Sequence, residues 1–137
     1  MTIGRHGRIT HLLPEDVPVW DLFLDQYAED YISFDYDIHV GKGRPAPNDY
    51  PENIKRMAID LSQRRIDAVG FKEDAIHIIE ITRVAGIKAV GQLVTYPLLY
   101  QSTFAPTLPL IPVLVTREIM NDIQQIFVQH NIITFLV

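Results

Sequence analysis

Apolar residues recur along the chain with two distinct periods, and each period predicts an element. Val19, Leu22, Phe23 and Tyr27 share one stripe with Gln26, widened by Trp20 and Leu24, which is helical spacing. Pro14, Glu15 and Asp16 suit the first turns of such a helix, so it is expected from about Leu13 to Ala28. Tyr31 to Val40 alternates instead. Ile32, Phe34, Tyr36, Ile38 and Val40 fall on one face of a predicted strand, with Ser33, Asp35, Asp37 and His39 on the other. Asp35, Asp37 and His39 are of metal-ligating type, although an exposed strand face explains them as well. Residues 41–51, GKGRPAPNDYP, hold three prolines and two glycines and read as a loop. Lys42 and Arg44 on it suit contact with a substrate or partner. A short helix follows over Asn53 to Gln63, with Ile54, Met57, Ala58 and Leu61 expected to face inward.

The stretch from Arg65 to Tyr100 organises the rest. Arg65–Lys72 is a predicted strand, Lys72–Ala75 a tight turn and Ile76–Thr82 a second, largely apolar strand. A turn centred between Glu73 and Asp74 sets Asp67 directly opposite Glu80, and Arg65 opposite Thr82, on one face. Two carboxylates held about 5 Å apart across neighbouring strands repel each other. Such a pair calls for a cation between them or a proton on one of them. A long helix begins near Ile87, with Ile87, Val90, Val94 and Leu98 at helical spacing and Gly91 expected to allow close packing on the sheet. Pro97 is expected to kink it, or to end its regular hydrogen bonding near Leu93. Beyond it come an apolar strand around Val113–Val115, a helix over Arg117–Gln129 capped by Thr116, with a core stripe of Ile119, Met120, Ile123, Ile126 and Phe127, and a final strand in 131–137.

Composition narrows the chemistry. At 137 residues and 47% apolar, the chain suits one folded domain over 1–137 with an extended arm at 1–13 that carries Arg5, His6, Arg8 and His11. This arm could contact nucleic acid or an acidic partner. With no cysteine, thiol catalysis and cysteine-based zinc sites are excluded. No leader-like or membrane-spanning stretch is visible, which points to the cytoplasm or to a particle assembled there. A net charge of −5 weakens the case for non-specific DNA binding. Beyond Lys88 the only charged side chains are Arg117, Glu118 and Asp122, so the C-terminal half has a surface suited to other protein subunits.

The order of these pieces resembles the PD-(D/E)XK nuclease fold, in particular its RecB-like branch. The matching residues are Asp67 on the first hairpin strand, Glu80-Ile81-Thr82 on the second, and Gln92-Leu93-Val94-Thr95-Tyr96 on the helix. The resemblance covers about Tyr31 to the C-terminus. It implies a single α/β domain with a restriction-endonuclease-like core: a central mixed sheet of about five strands flanked by helices. It also implies a metal site at Asp67 and Glu80, supported by Gln92 and Tyr96; Asp25 or Glu29 could extend towards it from the first helix, as acids do in some relatives, but solvated acids are the better reading of both. Thr82 stands where the family has its lysine, and a hydroxyl cannot supply that positive charge. Arg65, Arg83 and Lys88 are the available substitutes. Arg83 should point to the opposite face, and Lys88, one helical turn before Gln92, is the best placed.

Two functions follow. The first, and the one the missing lysine favours, is a nuclease-fold protein with a degenerate site. It would need no cofactor and would serve as a structural or adaptor component of an assembly, such as a phage particle. The second is an active Mg²⁺-dependent DNA endonuclease, with Lys88 or Arg65 in the role of the missing lysine. Asp67, Glu80 and Lys88 around one cavity would favour the second; an Arg65 bridge to both acids would favour the first.

Overall fold

A computed structural model describes residue 9 and residues 11–137, so Arg5, His6 and Arg8 of the basic arm lie outside the described residues. The elements are α1 (Val17–Tyr27), β1 (Ser33–Val40), α2 (Glu52–Ser62), β2 (Arg64–Phe71), β3 (Ile76–Ala85), α3 (Ile87–Phe104), β4 (Leu110–Ile119), α4 (Gln124–Gln129) and β5 (Ile133–Leu136), with a 3₁₀ turn at Ala28–Asp30. The strands form one sheet in the order β1-β2-β3-β4-β5. β2 runs antiparallel to both β1 and β3, while β3, β4 and β5 run parallel to one another. The chain is therefore an α/β domain with a five-stranded mixed sheet and helices on both faces.

β3 lies in the middle of this sheet, which is why residues 76–81 of its run are buried without alternation. On one face, α1 packs Val19, Trp20 and Phe23 against Phe34, Ala68, Ile79, Ile81, Val113 and Val115. On the other, α3 lays Tyr96 and Tyr100 on Val69, Ile76 and Ile78, and Ala89 and Leu93 share a cluster with Leu114 and α4's Phe127. The core needs Gly70 to lack a side chain: a Cβ there would stand 2.7 Å from the Tyr31 ring.

Several sequence expectations are corrected. β1 does not keep one apolar face. Phe34 and Tyr36 join the α1 cluster, whereas Ile38 and Val40 join the α3 cluster. The switch occurs at Asp37, whose φ of 52° breaks the two-residue alternation. Ile32 lies before the strand and is exposed. α2 forms as expected but buries none of its residues; Ile54, Met57 and Leu61 face solvent. α3 runs unbroken through Pro97 to Phe104, because proline removes only one amide donor and buried Leu93, Tyr96 and Tyr100 hold the helix on both sides of it. Gly91 faces outward with no atom within 4 Å of a Cβ, so it does not serve close packing on the sheet. Thr116 caps no helix. It is fully buried in β4, which continues to Ile119, and α4 is confined to Gln124–Gln129 with Met120 exposed.

Candidate functional site

The hairpin register is the expected one: Ala68 pairs with Ile79, Val69 with Ile78 and Gly70 with His77. This register carries Asp67 to a position opposite Glu80. The β2–β3 ladder ends there, and the carboxylates take over the backbone's hydrogen bonds. The Asp67 amide donates to Glu80 Oε1 at 3.3 Å, and the Ile81 amide donates to Asp67 Oδ2 at 3.0 Å. Asp37 is abreast of Asp67 in the same way, at the one gap in the β1–β2 ladder between Tyr36–Ala68 and Ile38–Ile66. Three acids thus stand side by side on adjacent strands where the regular ladders are interrupted.

The cavity that opens here has a volume of about 220 Å³, and Asp67, Glu80, Thr82, Lys88 and Gln92 all line it. β2 and β3 supply the acids, and the first two turns of α3 supply Lys88 and Gln92. Asp16 also lines it, from the residue just before α1. Its carboxylate does not cap the helix; Oδ1 accepts the Arg83 amide at 2.8 Å, which ties the start of α1 to β3. Asp25 on α1 and Glu29 just after it are exposed and neither lines the cavity, as their reading as solvated acids expects. Asp16 was hidden because it reads as an ordinary helix-start acid; only the docking of α1 on β3 brings it in.

Electrostatics set this cluster apart. Burial, and then the neighbouring Asp67 charge, push Glu80 well above the ordinary glutamate range. Burial raises Asp67 too, against the lowering effect of its hydrogen bonds to Glu80 and the Ile81 amide. The physical meaning is a proton held between two carboxyl groups that cannot both ionise in a buried site. Asp16 is raised chiefly by burial, offset in part by the Arg83 amide. Lys88 is the cation whose field favours ionisation of both Glu80 and Asp16. Tyr96 is buried and raised by that burial and by Glu80, with the Gln92 amide beside its hydroxyl acting in the opposite direction. The four motif residues, Asp67, Glu80, Gln92 and Tyr96, are therefore brought together with Lys88.

The other expected compensations are not. Arg65 turns away from the acids and donates from Nε to His39 Nε2 at 2.9 Å. Among the described residues, no ion pair joins Asp67 or Glu80 to a basic side chain. The Thr82 hydroxyl is spent on the Val84 carbonyl at 3.2 Å. Asp35, Asp37 and His39 do not converge on a metal site, since Asp35 is exposed, Asp37 meets His11 at 3.4 Å and His39 meets Arg65.

The donor set fits a small hard cation. Buried Glu80 and half-buried Asp67, which repel each other at the edge of a solvent-open cavity, are what Mg²⁺ or Mn²⁺ would neutralise. Among the described residues no three acidic or histidine side chains form a ready-made ligand group. Mg²⁺ commonly takes one or two carboxylates and fills its octahedron with water and substrate phosphate. Among the described residues no helix is long and apolar enough to cross a membrane. The chain matches no model of a known protein family, no curated protein and no solved structure.

Proposed function

We propose that the protein is a divalent-cation-dependent phosphodiesterase acting on DNA, with Asp67 and Glu80 as the cation's ligands. The observation that carries this reading is the meeting of Asp67, Glu80 and Lys88 around one open cavity, with neither acid neutralised by a basic partner among the described residues. A bound Mg²⁺ or Mn²⁺ would polarise a phosphodiester and lower the pKa of water beside it. The chain's own groups do the rest. Asp67 and Glu80 would hold the cation through hard oxygen donors, and the proton they share would pass to solvent. Lys88 stands at the cavity wall, where an ammonium group can offset the negative charge that builds on a phosphate during attack. Gln92 lines the same wall and, beside Tyr96, fixes the α3 side of the cavity. Asp16 adds a third carboxylate within the cavity, set to orient water or a cation's hydration shell.

Incubation of plasmid DNA with the protein and Mg²⁺ or Mn²⁺ tests this directly. Cleavage should vanish in Asp67→Ala and fall by a factor of about 10²–10³ in Lys88→Ala, the usual loss when one charge-stabilising group is removed. Intact DNA with either metal would reject it. That result would leave the second reading, a non-catalytic subunit of an assembly such as a phage particle. One observation favours this alternative: Met120, Val128, Ile133 and Leu136 are all exposed in the charge-poor C-terminal half, an apolar surface suited to other subunits.

A further inference from the structure

The second feature that asks for a ligand is a groove on the far side of α3's inner face, lined by Val40, Gly41, Lys42, Gly43, Arg44, Ser62, Arg64 and Leu99. It holds three cations and no acid, in a chain whose net charge is −5. All three side chains are exposed, and among the described residues none of them forms an ion pair. Chance surface cations in an acidic protein tend to find carboxylate neighbours; these stand alone.

The groove is built rather than incidental. Gly41 and Gly43 take φ values of 82° and 67°, which turns the loop after β1 sharply back on itself. The Gly41 amide donates to Thr103 Oγ1 at 3.1 Å, and Gln63 Nε2 donates to the Gly41 carbonyl at 2.8 Å. The Arg44 amide is clamped to the Ser62 hydroxyl at the end of α2. A Cβ on Gly43 would stand 2.6 Å from the Ile59 carbonyl, so the loop presses directly on α2. Pairing of Val40 with Arg64 then sets the third cation beside the first two. This clamp also gives α2 its place: the helix braces the basic loop and leaves the sheet uncovered.

The groove and the carboxylate cavity lie along one helix. Lys88, Ala89 and Gln92 line the cavity, Tyr96 follows, and Leu99 lines the groove, a run of positions on one side of α3. Arg64 is close enough to Tyr96 to act on its hydroxyl. From Gln92 to Leu99 the axial rise is about 10 Å, or about three nucleotide steps at 3.4 Å each.

We infer that the Lys42–Arg44–Arg64 groove is a phosphate-backbone subsite that holds a nucleic-acid strand along α3, about three nucleotides from the carboxylate cavity. The inference rests on the DNA reading of that cavity for its direction, but its test needs no catalysis. Anisotropy of a fluorescein-labelled duplex, and of the corresponding single strand, is measured in EDTA over a series of salt concentrations. The triple variant Lys42→Gln/Arg44→Gln/Arg64→Gln should bind about tenfold or more weakly at low salt, with the slope of log K against log salt reduced by about 0.9 per lost contact on duplex and about 0.7 on single strand. Because the three side chains are exposed and unpaired, thermal melting of the triple variant should match the wild type, and it serves as the folding check. An unchanged slope, or wild-type protein that binds neither probe, overturns the inference. So does polyglutamate that competes as well as DNA of equal charge, because the groove would then be reading an acidic protein. A protein that cuts DNA but keeps its salt slope in the triple variant refutes the groove alone; one that loses its slope without ever cutting refutes the cavity alone.

Discussion

Replacement of Glu80 by glutamine isolates the energetic strain of the carboxyl pair. Glutamine keeps the shape, can accept the Asp67 amide as Glu80 Oε1 does, and can donate to the Asp67 carboxylate. What it removes is the need to hold a proton. Glu80 has a raised pKa in the folded protein, so the folded state binds a proton that the unfolded chain has already released. The stability this contributes is complete below the ordinary glutamate value, 4.5, and is lost as pH rises toward the folded value. While one proton separates the two states, the loss is about 1.4 kcal/mol per pH unit. For a domain of this size, about 1 kcal/mol corresponds to about 3–5 °C in Tm. Glu80→Gln should therefore melt above the wild type in EDTA, and the gap should widen by about 4–7 °C for each pH unit from pH 5 until the folded value is passed. Circular-dichroism melts of both proteins across that range provide the assay. Parallel Tm curves, or a gap that narrows as pH rises, would refute a buried proton-sharing pair.

Four other substitutions probe the frame. Gly70→Ala should lower stability by about 1–3 kcal/mol in chemical denaturation, since the new methyl meets the Tyr31 and Phe34 rings at 2.7 and 3.1 Å and both are buried. Gly91→Ala should raise stability by about 0.5–1 kcal/mol, because the site is helical, outward and empty; a loss would mean that this face of α3 is covered. Tyr31→Phe should cost about 1–3 kcal/mol by leaving buried His77 Nδ1 without its 2.8 Å partner. His77 itself is lowered to about 4, mainly by burial, so its contribution to stability is present above the ordinary value of 6.5 and lost as pH falls through 4. A His77→Gln variant should show a weaker loss of Tm over that acid window than the wild type.

The site was legible to the extent that local pattern decides it. An uninterrupted apolar run with a tight polar turn before it fixes both the hairpin and its register, and the register alone brings Asp67 to Glu80. Lys88, Gln92 and Tyr96 then follow from helical spacing. What stayed hidden depends on tertiary contacts. Nothing local marks Asp37 for a left-handed backbone, yet that one residue moves Ile38 and Val40 to the opposite face. α2 has a clear apolar stripe, and its pattern says inward; the structure gives that stripe no sheet to cover and uses the helix end to clamp the Arg44 loop. Asp16 meets β3 across a sequence separation of 67 residues, which no periodicity could reveal. Arg65 was one of three residues that could compensate Thr82, behind Lys88, and the neighbouring strand offers it His39 instead.

Calorimetric titration of the metal-free protein with Mn²⁺ at neutral pH, repeated in buffers of different ionisation enthalpy, tests the central claim most directly. The account predicts binding that releases a proton, visible as a buffer-dependent heat, and that is lost in both Asp67→Asn and Glu80→Gln. Mn²⁺ binding that survives both substitutions, or no binding by the wild type, would contradict a cation site at the carboxyl pair.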